Sequence, residues 1–437
     1  ARFTAVCRCC DRQHAGLLFD KNEEHMSTMK DKDKKTVIVA GSNYSSSLCM
    51  ARSLGRAGYN VKIYRLFQGK PKLGGLMTYI RPESHSKYVG QYRQYIVEDN
   101  QAFADMLIRD AQPGEKQLFV PVDDLTTSLL DENYDMLKEH YIMPNISDTQ
   151  GRINELMSKE KQMELARKCG LDIVNSCCIT AENGVFDIPP TVTYPCFVKP
   201  NISRNSSKSY MKKCVDFKEL QSTLTEFSKD QKIEMIIEDY LEIDSEFSLL
   251  GLCIKDKAVA PGLFVVEKGG TDDRRGVTLV GRVADPSPYR EFIDGMLTFV
   301  KSLDFEGLFD IDIIKTKDGK MHFIELNLRF GASGYAVTQC GANLPVMLAD
   351  CLLKGKPVDM DIAMKTTGKT FVSEIVMTNE YIKGSLSMAE VKKLMSENDV
   401  YFIKDDEDVN PYRHYKKFFL PATVLKGLYT VKRWMAS

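Results

Sequence analysis

The first third of the chain combines short apolar runs with a helical repeat. The run Thr36–Ala40 is almost wholly apolar, three apolar residues recur at helical spacing within 48–54, and a second apolar run covers 61–64. Continuous apolar runs predict buried strands, and a repeat of three to four residues predicts an amphipathic helix. The order strand, helix, strand therefore predicts a doubly wound parallel sheet over residues 36–150, and a long helix is expected over 91–111.

Strict alternation of polar and apolar residues marks a second region, 309–314, where two aspartates alternate with large apolar side chains. An Asp-Gly pair follows at 318–319, and another alternating run covers 321–327. Two alternating runs joined by such a turn predict a β-hairpin. The hairpin would pack its apolar face on the core and present its polar face to a site.

Oxygen-bearing side chains are concentrated on the polar face of this hairpin. Glu325 and Asn327 lie two residues apart, so both belong to one face, and Asp312 on the partner strand can point the same way. Three converging oxygen ligands suit Mg²⁺ or Mn²⁺, because such cations prefer oxygen donors and often bridge to substrate phosphates. Arg329 follows on the same face, where a fixed cation can neutralise a phosphoryl group. The alternative is a solvated hairpin edge, which the large apolar residues between the acids disfavour.

Two lysines in the middle of the chain lie at the ends of predicted elements. A helix is predicted from 154 to 169, with Lys159 near its start. A short apolar strand, Cys196–Pro200, carries Lys199 near its end. Neither lysine is informative alone, because single basic residues occur at many strand and helix ends.

Two polar loops complete the set of candidate binding segments. The loop 201–209 includes Ser206 and Ser207 and can fold over phosphates, although an ordinary exposed loop is the simpler interpretation. The charged loop 267–276 can hold a substrate carboxylate, because Arg binds carboxylates through two parallel hydrogen bonds. The alternative for this second loop is a solvated surface segment. Its basic residues are Lys268, Arg274 and Arg275.

The bulk composition narrows the class of protein. The 437 residues carry 59 basic and 60 acidic side chains, a net charge of −1, which argues against a general polyanion binder and predicts no nucleic-acid partner. No apolar run is long enough to cross a bilayer, so no transmembrane segment is predicted. Scattered cysteines, several of them within apolar stretches, and the lack of a recognisable secretion signal favour a reducing, cytoplasmic location.

The two ends of the chain differ in composition from the rest. The first 35 residues hold three cysteines and a histidine at 14 whose spacing matches no zinc pattern, so residues 1–35 are interpreted as a disordered extension. The last part of the chain mixes basic and aromatic residues. This basic-aromatic end can pack on the body of the protein, which is the simpler interpretation, or make a weak contact with an anionic membrane surface.

The order of these segments over residues 36–355 resembles the ATP-grasp superfamily. The specific part is Asp312 followed by Glu325-Leu326-Asn327-Leu328-Arg329, which matches the acid strand and the Glu-x-Asn-x-Arg motif of that superfamily. The resemblance implies an α/β ATP-grasp fold in four parts. These are a doubly wound pre-ATP-grasp domain at 36–150, a lid-containing subdomain at 151–240, a catalytic subdomain at 241–360 and a C-terminal lobe at 361–437.

The same resemblance implies roles for individual residues. Lys159 and Lys199 correspond to the basic residues that contact the nucleotide phosphates, and 201–209 corresponds to the flexible phosphate loop, although it contains no glycine. Glu238 corresponds to the acceptor of the adenine amino group, and Glu246 to the acid that binds the ribose hydroxyls. The remaining assignments are Asp239 and Tyr240 in the adenine hinge, Asp312, Glu325 and Asn327 as metal ligands, and Arg329 as the residue that steadies the transferred phosphoryl group.

The implied activity is ATP-dependent ligation of a small-molecule carboxylate to an amine through an acyl phosphate, with ATP and Mg²⁺ or Mn²⁺ bound. The segment 325–343 is most similar to the D-aspartate ligase type, whose members add an amino acid to a peptidoglycan precursor. A dipeptide or other amino-acid ligase and a carbamoyl-phosphate-synthase-like enzyme are the alternatives within the superfamily. Many of its members are dimers, so the resemblance also implies a homodimer.

Two interpretations from other classes stay open at this stage. A nicotinamide-dependent oxidoreductase could be built on the first domain, but the loop after Thr36–Ala40 lacks the G-x-G-x-x-G fingerprint of dinucleotide-binding proteins. A non-catalytic ATP-binding protein could have kept the same fold. The presence of every metal ligand of the motif together with Arg329 argues against that second interpretation.

Overall fold

The computed structural model of the chain describes residues 34–68, 81–202, 210–270 and 278–417. The helices of this part are α1 Tyr44–Arg56, α2 Asn100–Asp110, α3 Asp124–Glu132, α4 Tyr134–Leu137, α5 Arg152–Leu156, α6 Lys159–Lys168, α7 Phe217–Phe227, α8 Arg290–Ser302, α9 Gly334–Gln339, α10 Leu344–Lys354, α11 Glu374–Lys383, α12 Met388–Glu397 and α13 Val409–Lys416. Short 3-10 helices cover Pro82–His85 and Ser287–Tyr289.

The strands fall into three sheets within the described ranges. The first sheet holds β1 Thr36–Ala40, β2 Asn60–Gln68, β3 Val89–Val97, β4 Gln117–Pro121 and β5 Tyr141–Ile142. The second holds β7 Ser176–Glu182, β8 Cys196–Pro200, β9 Lys212–Cys214 and β10 Lys232–Asp239. The third holds β6 Asn145–Ile146, β11 Ile243–Ile254, β12 Lys257–Gly269, β13 Thr278–Ala284, β14 Phe305–Thr316, β15 Met321–Asn327, β16 Thr370–Val372 and β17 Val400–Tyr401.

The first sheet is parallel throughout its described strands, in the order β3-β2-β1-β4-β5. Val37 and Val39 of β1 belong to one core together with α1, whereas Ile38 and Ala40 belong to a second core with α2 and α3. Burial of both faces explains why the strand is a continuous apolar run. The predicted doubly wound parallel sheet is confirmed.

The prediction of one long helix over 91–111 is wrong. Residues Val89–Val97 form β3, which pairs with β2 in parallel, and α2 begins only at Asn100. The side chain of Asp99 caps α2 by accepting a hydrogen bond from the backbone N–H of Ala102 at 2.8 Å. A capping aspartate is thus the local signal that separates the strand from the helix.

The predicted helix from 154 to 169 is two helices. The first, α5, ends at Leu156, and α6 begins at Lys159 with Ser158 as its N-cap. The hydroxyl of Ser158 accepts a hydrogen bond from the backbone N–H of Lys161 at 3.4 Å. This break places Lys159 in the first turn of α6, where its position depends on what holds that turn.

The second sheet is antiparallel and has the order β7-β10-β8-β9 in the part of the chain that the structure describes. Its core forms where Val198 and Met235 pack against Leu220 and Leu224 of α7. The apolar spacing of α7 matches this single buried face. Lys199 and Glu238 extend from neighbouring strands of this sheet.

The third sheet runs β15-β14-β11-β12-β13-β16-β17 within the described ranges, with β6 paired to β14. All of its neighbouring pairs are antiparallel except β16 and β17. The predicted hairpin is confirmed as β14 and β15, and Gly319 in its turn has a φ of +89°, a conformation that favours glycine. No helix of the described residues has both the length and the apolar character that crossing a bilayer requires.

Candidate active site

A cavity of about 630 Å³ lies between the second and third sheets and reaches residues of the first domain. This volume is within the range of about 300–1,000 Å³ that is usual for small-molecule sites. The sequence-predicted residues that line it together are Lys159, Lys199, Glu238, Asp239, Tyr240, Glu246, Asp312, Glu325, Asn327 and Arg329. Residues from four separate parts of the sequence thus meet in one place.

The front face of the β14–β15 hairpin forms the floor of the cavity. Asp312 lies opposite Glu325 in the antiparallel ladder, and Asp310 lies opposite Asn327. The amide Nδ2 of Asn327 is 3.4 Å from Oδ2 of Asp312, so the oxygen-bearing side chains converge as the alternation predicted. A bulge follows directly, since Ile313 pairs with Phe323 rather than with the next residue in register.

Arg329 is held from two sides above this floor. Its Nε donates to Oδ1 of Asp124 at 2.5 Å, and one of its terminal nitrogens donates to Oδ1 of Asn327 at 3.2 Å. Burial alone would lower the pKa of Arg329, but the Asp124 carboxylate outweighs it and raises that pKa. The guanidinium therefore stays charged and fixed in direction, which suits the binding of a phosphoryl group or carboxylate.

Asp310 is a buried carboxylate beside the predicted metal ligands. Burial raises its pKa to about 8, the charge of Asp312 adds to this rise, and Arg329 opposes it. A Cβ atom at Gly331 would lie 1.9 Å from Oδ2 of Asp310, so this close approach requires glycine there. Sequence reasoning did not select Asp310, although it shares the alternating face with Asp312.

The two predicted phosphate-binding lysines are both paired with carboxylates that line the cavity. Nζ of Lys159 is 2.9 Å from Oε1 of Glu325, and Nζ of Lys199 is 2.7 Å from Oε1 of Glu238. Both lysine side chains are only 4% exposed, so each ammonium group is directed inward. Two fixed cations at one wall can bind the phosphates of a nucleotide.

Asn201, directly after β8, ties the first turn of α6 to the second sheet. Its carbonyl oxygen accepts a hydrogen bond from the N–H of Lys159 at 3.1 Å, and its side-chain oxygen accepts from the N–H of Glu160 at 3.1 Å. Its side-chain nitrogen donates to Oε2 of Glu234 at 3.1 Å. These bonds place Lys159 and Lys199 relative to one another, although they are far apart in sequence.

Backbone hydrogen bonds to neighbouring segments fix the stretch predicted as the adenine hinge. The N–H of Asp239 donates to the carbonyl of Asn175 at 3.0 Å, and the N–H of Tyr240 donates to the carbonyl of Pro195 at 3.1 Å. These two N–H groups are thus engaged within the protein, and the next residue in the cavity lining is Leu241. The ring of Tyr240 lies below Nζ of Lys213, which is 3.9 Å from the ring centroid.

Several predicted residues fall outside the cavity or outside the description. Lys268 is exposed at the end of β12 and is absent from the described lining of the cavity. Ser206, Ser207, Arg274 and Arg275 lie outside the described residues, as do the extension up to residue 33 and the last part of the basic-aromatic end from residue 418.

The sequence matches no family model and no curated protein. Solved structures do match it. L-amino acid ligase from Bacillus licheniformis has 15% identity and a TM-score of 0.55, and the match covers 76% of this chain and 78% of that one. Carboxyaminoimidazole ribonucleotide synthase from Aspergillus clavatus, complexed with ATP, has 13% identity and a TM-score of 0.56, and the match covers 76% of this chain and 80% of that one. Biotin carboxylase from Campylobacter jejuni has 13% identity and a TM-score of 0.54, and the match covers 77% of this chain and 74% of that one.

This chain has the ATP-grasp fold. The ATP-grasp architecture expected from the Glu-x-Asn-x-Arg motif is therefore confirmed, and the structures above share it. Identities of 13–15% establish a common fold and do not identify a substrate. They give no support to the narrower D-aspartate ligase type.

The ATP-grasp cleft contains a donor set that fits a divalent cation. Asp312 and Glu325 offer carboxylates and Asn327 an amide oxygen, which is the hard-oxygen set that Mg²⁺ accepts alongside substrate phosphates. Oδ1 of Asn327 faces Arg329, so a rotation of the amide about χ2 would present this oxygen to the cation. No group of three or more His, Cys, Asp and Glu side chains suited to a metal occurs anywhere in the described ranges, and the set in the cleft consists of two carboxylates and one amide.

Sequence reasoning missed the parts of the ATP-grasp cleft that come from the first domain and from the C-terminal region. Asn43, Ser45 and Asp124 line the cavity from the starts of α1 and α3, and Ser373, Val376 and Phe402 line it from the other end of the chain. Asp124 carried a local signal, because it follows the N-cap Asp123. The C-terminal residues carried none, because only the tertiary fold brings them to the cleft.

Proposed function

We propose that this chain is an ATP-dependent carboxylate–amine ligase that forms an amide through an acyl phosphate. The observation that carries the proposal is the meeting of two inward-facing lysines with Asp312, Glu325, Asn327 and Arg329 in one cavity of about 630 Å³. Phosphoryl transfer depends mostly on positioning and electrostatic stabilisation, and this arrangement supplies both.

In the proposed first step, a carboxylate oxygen of the substrate attacks the γ-phosphorus of ATP, and ADP leaves with the bond electrons. Lys159 and Lys199 bind the phosphates from one wall, and Arg329 faces the transferred group from the other. A divalent cation bound by Asp312, Glu325 and Asn327 would offset the negative charge of the phosphates. The Asp124 contact keeps the guanidinium of Arg329 in a fixed direction during transfer.

In the second step, an amine attacks the acyl carbon, inorganic phosphate leaves, and the amine nitrogen loses a proton. The acyl phosphate must be kept from water between the two steps, and the apolar side chains of Phe264, Val266 and Ile324 in the cleft lining contribute to this. The reaction needs no nucleophilic Ser or Cys. The amine is an amino acid or a peptide in the finer form of the proposal, and transfer of D-aspartate to a peptidoglycan precursor is its narrowest form.

The test is a screen for ADP release over D- and L-amino acids, singly and in pairs, with mass spectrometry of the products. Hydroxylamine, added as a general nucleophile, converts an acyl phosphate into a hydroxamate and so detects activation of the carboxylate without the natural amine. We expect Mg²⁺-dependent ADP release with at least one carboxylate, accompanied by hydroxamate or amide of the same amount.

The matched variants are Glu325→Gln and Glu242→Gln. Glu325 lines the cavity, so we expect its loss to lower turnover by about 100-fold or more. Glu242 is exposed and pairs only loosely with Lys317 at 3.4 Å, so its variant should keep the wild-type rate. Binding of ATP by the wild type without ADP release from any carboxylate and amine pair would overturn the proposal and favour a non-catalytic ATP-binding protein.

A further inference from the structure

One wall of the cleft is made by the C-terminal region, and here it is called the C-terminal wall: Ser373, Val376 and Phe402. Ser373 and Val376 belong to the start of α11, and Phe402 directly follows β17. The residues proposed to bind the nucleotide come instead from the second sheet, from α6 and from β11, β14 and β15. Since ATP would occupy that side, the C-terminal wall faces the space left for the second substrate.

Glu374 fixes the backbone that carries Phe402. Its carboxylate is fully buried and accepts hydrogen bonds from the N–H groups of Phe402, Ile403 and Lys404 at 3.0, 3.0 and 2.8 Å. Burial raises the pKa of Glu374, and these three backbone N–H groups oppose that rise. A single side chain thus determines the path of three consecutive residues.

Arg52 of α1 fixes the same backbone from the opposite side. Its guanidinium is fully buried and donates to the carbonyls of Phe402 and Ile403 at 3.0 and 2.7 Å. It also donates to the Asp408 carboxylate at 3.0 Å. Two fully buried charged groups, Glu374 and Arg52, thus hold the backbone of Phe402 from opposite sides.

The polarity of the C-terminal wall indicates the chemistry of what it contacts. Its members offer a hydroxyl, an aliphatic side chain and an aromatic ring. The basic side chains among the described lining residues are Lys159, Lys199 and Arg329; none of them belongs to this wall, and each is already paired with a carboxylate. A second anionic group of the substrate would therefore gain little here.

We infer that the C-terminal wall is the side-chain pocket of the amino-acid substrate and that it takes a small, uncharged side chain against Phe402 and Val376. This inference rests on the proposed function, because it names the substrate class of the same cleft. It favours substrates such as alanine and serine over aspartate, and so argues against the D-aspartate form of the proposed function. Phe402 sets the depth of the pocket, and Glu374 and Arg52 keep it in place.

Alanine substitutions of two neighbouring aromatic residues separate this role from core packing. The ring of Phe371 lies 6.4 Å from that of Phe402 and is 1% exposed, but Phe371 is not part of the described cavity lining. Phe402→Ala and Phe371→Ala therefore remove similar rings from neighbouring buried positions. Phe402→Leu is the milder variant, which should fold where Phe402→Ala does not.

The measurement is kcat/KM from ADP release with glycine, alanine, valine, leucine and aspartate. We expect the wild type to prefer the smallest neutral side chains. The ratio of kcat/KM for leucine to kcat/KM for alanine should rise by about tenfold or more in Phe402→Ala and by less in Phe402→Leu. In Phe371→Ala this ratio should stay within about twofold of wild type. The melting temperature of each variant is recorded alongside, since both deletions should lower it.

Three outcomes would overturn the inference: a wild-type preference for aspartate, an unchanged ratio in both Phe402 variants, or an equal change in Phe371→Ala. Loss of the proposed function is distinguishable, because it abolishes ADP release from the wild type with every substrate. In that case thermal shifts with the same amino acids test the pocket directly. The inference is supported if the thermal shift of the wild type depends on the size of the amino-acid side chain, and if Phe402→Ala changes this dependence while Phe371→Ala does not. The absence of such a dependence would overturn the inference.

Discussion

Gln162 connects β15, the strand of the proposed metal ligands, to α6 by a single side chain. Its amide oxygen accepts from the N–H of Leu326 at 2.7 Å, and its amide nitrogen donates to the carbonyl of Leu326 at 2.9 Å. Leu326 lies between Glu325 and Asn327, so the amide of Gln162 acts as a substitute strand partner for their backbone. Lys159 lies one turn earlier, so α6 carries a proposed phosphate-binding residue and is also bonded to the strand of the proposed metal ligands.

Replacement of Gln162 by leucine should weaken the metal site without removing a ligand. Gln162 is 2% exposed, so Gln162→Leu leaves two backbone groups of Leu326 without their partner. We expect the Mg²⁺ concentration for half-maximal ADP release, or the Mn²⁺ dissociation constant measured by electron paramagnetic resonance, to rise by about tenfold or more. Gln221→Leu on the exposed face of α7 is the control. An unchanged metal requirement in a folded Gln162→Leu protein would contradict this role.

At the residue scale the sequence predicts the hairpin side chains and not their partners. Asp312, Glu325, Asn327 and Arg329 follow a two-residue period, which is a local property of a strand. Asp124, which holds Arg329, lies 205 residues away, and no local pattern reports such a contact. The hairpin residues proposed for the site were therefore predictable from a local pattern, whereas the residues that orient them were not.

The element scale shows why β3 was mistaken for a helix. Within the predicted range, Tyr92 and Tyr95 lie three residues apart, as they would on one face of a helix. In the structure these residues belong to a strand paired with β2 alone among the described strands, so its other edge tolerates polar side chains. Arg93 on that strand is held by Asp110 at 2.6 Å, a tertiary contact that the sequence pattern does not contain.

The packing of α13 on the Pro82–His85 turn should depend on pH. The ring of His414 stacks on that of His85 with centroids 4.0 Å apart. Burial lowers the pKa of His414 to about 4, and the nearby positive charges of His85, Lys417 and Arg81 act in the same direction. The folded protein thus binds this proton less readily than the unfolded chain, whose histidine has its ordinary pKa near 6.5.

The sign of the effect follows from that difference. The contribution of His414 to stability is complete above about pH 6.5 and is lost as the pH falls from there toward about 4. We expect His414→Phe, which keeps an uncharged ring, to reduce the decline in melting temperature over this interval by about 2 °C or more. His140→Phe, placed before β5, is the control and should leave the decline as in wild type. An identical pH profile in His414→Phe would show that the pair does not titrate as described.

At the scale of the whole molecule, Arg52 joins the two ends of the described chain. It belongs to the first helix and binds Asp408 together with the carbonyls after β17. Asp408 also accepts from the hydroxyl of Ser86 at 2.7 Å and from the N–H of Lys87 at 3.0 Å. The first domain and the C-terminal region are thus fastened to each other by buried polar contacts.

Removal of Arg52 should therefore destabilise the protein strongly. Arg52→Met leaves the buried Asp408 carboxylate without its cation, and we expect a loss of about 3–5 kcal/mol in the free energy of unfolding. Arg56→Met, one turn later on α1, removes an arginine whose side chain is 28% exposed and pairs with Asp405 and Glu407, so its loss should be about 1 kcal/mol or less. Denaturant unfolding measures both. Similar losses for the two variants would refute the distinction.

Hydrogen exchange locates the same effect. In Arg52→Met, the amides of residues 402–404 should exchange faster than in wild type, since the carbonyls of Phe402 and Ile403 in this segment lose a fixed partner. Amides of β10, in the second sheet, should be unaffected by comparison. Faster exchange throughout the protein instead would mean that Arg52 stabilises the fold as a whole and not this segment.

The third sheet has a consequence for how the cleft could be resized. Its two described edges are β15, which carries Glu325 and Asn327, and β17, which leads directly into Phe402, and both edges border one cavity. Seven strands laid flat would separate those edges by about 29 Å, at about 4.8 Å per strand. The sheet must therefore curve around the cavity. The irregular pairing of β12 with β13 near Lys268 is one place where it bends. Substitutions of Lys268 or Gly269, which lie at this irregularity and outside the described cavity lining, could widen or narrow the cleft without altering its lining.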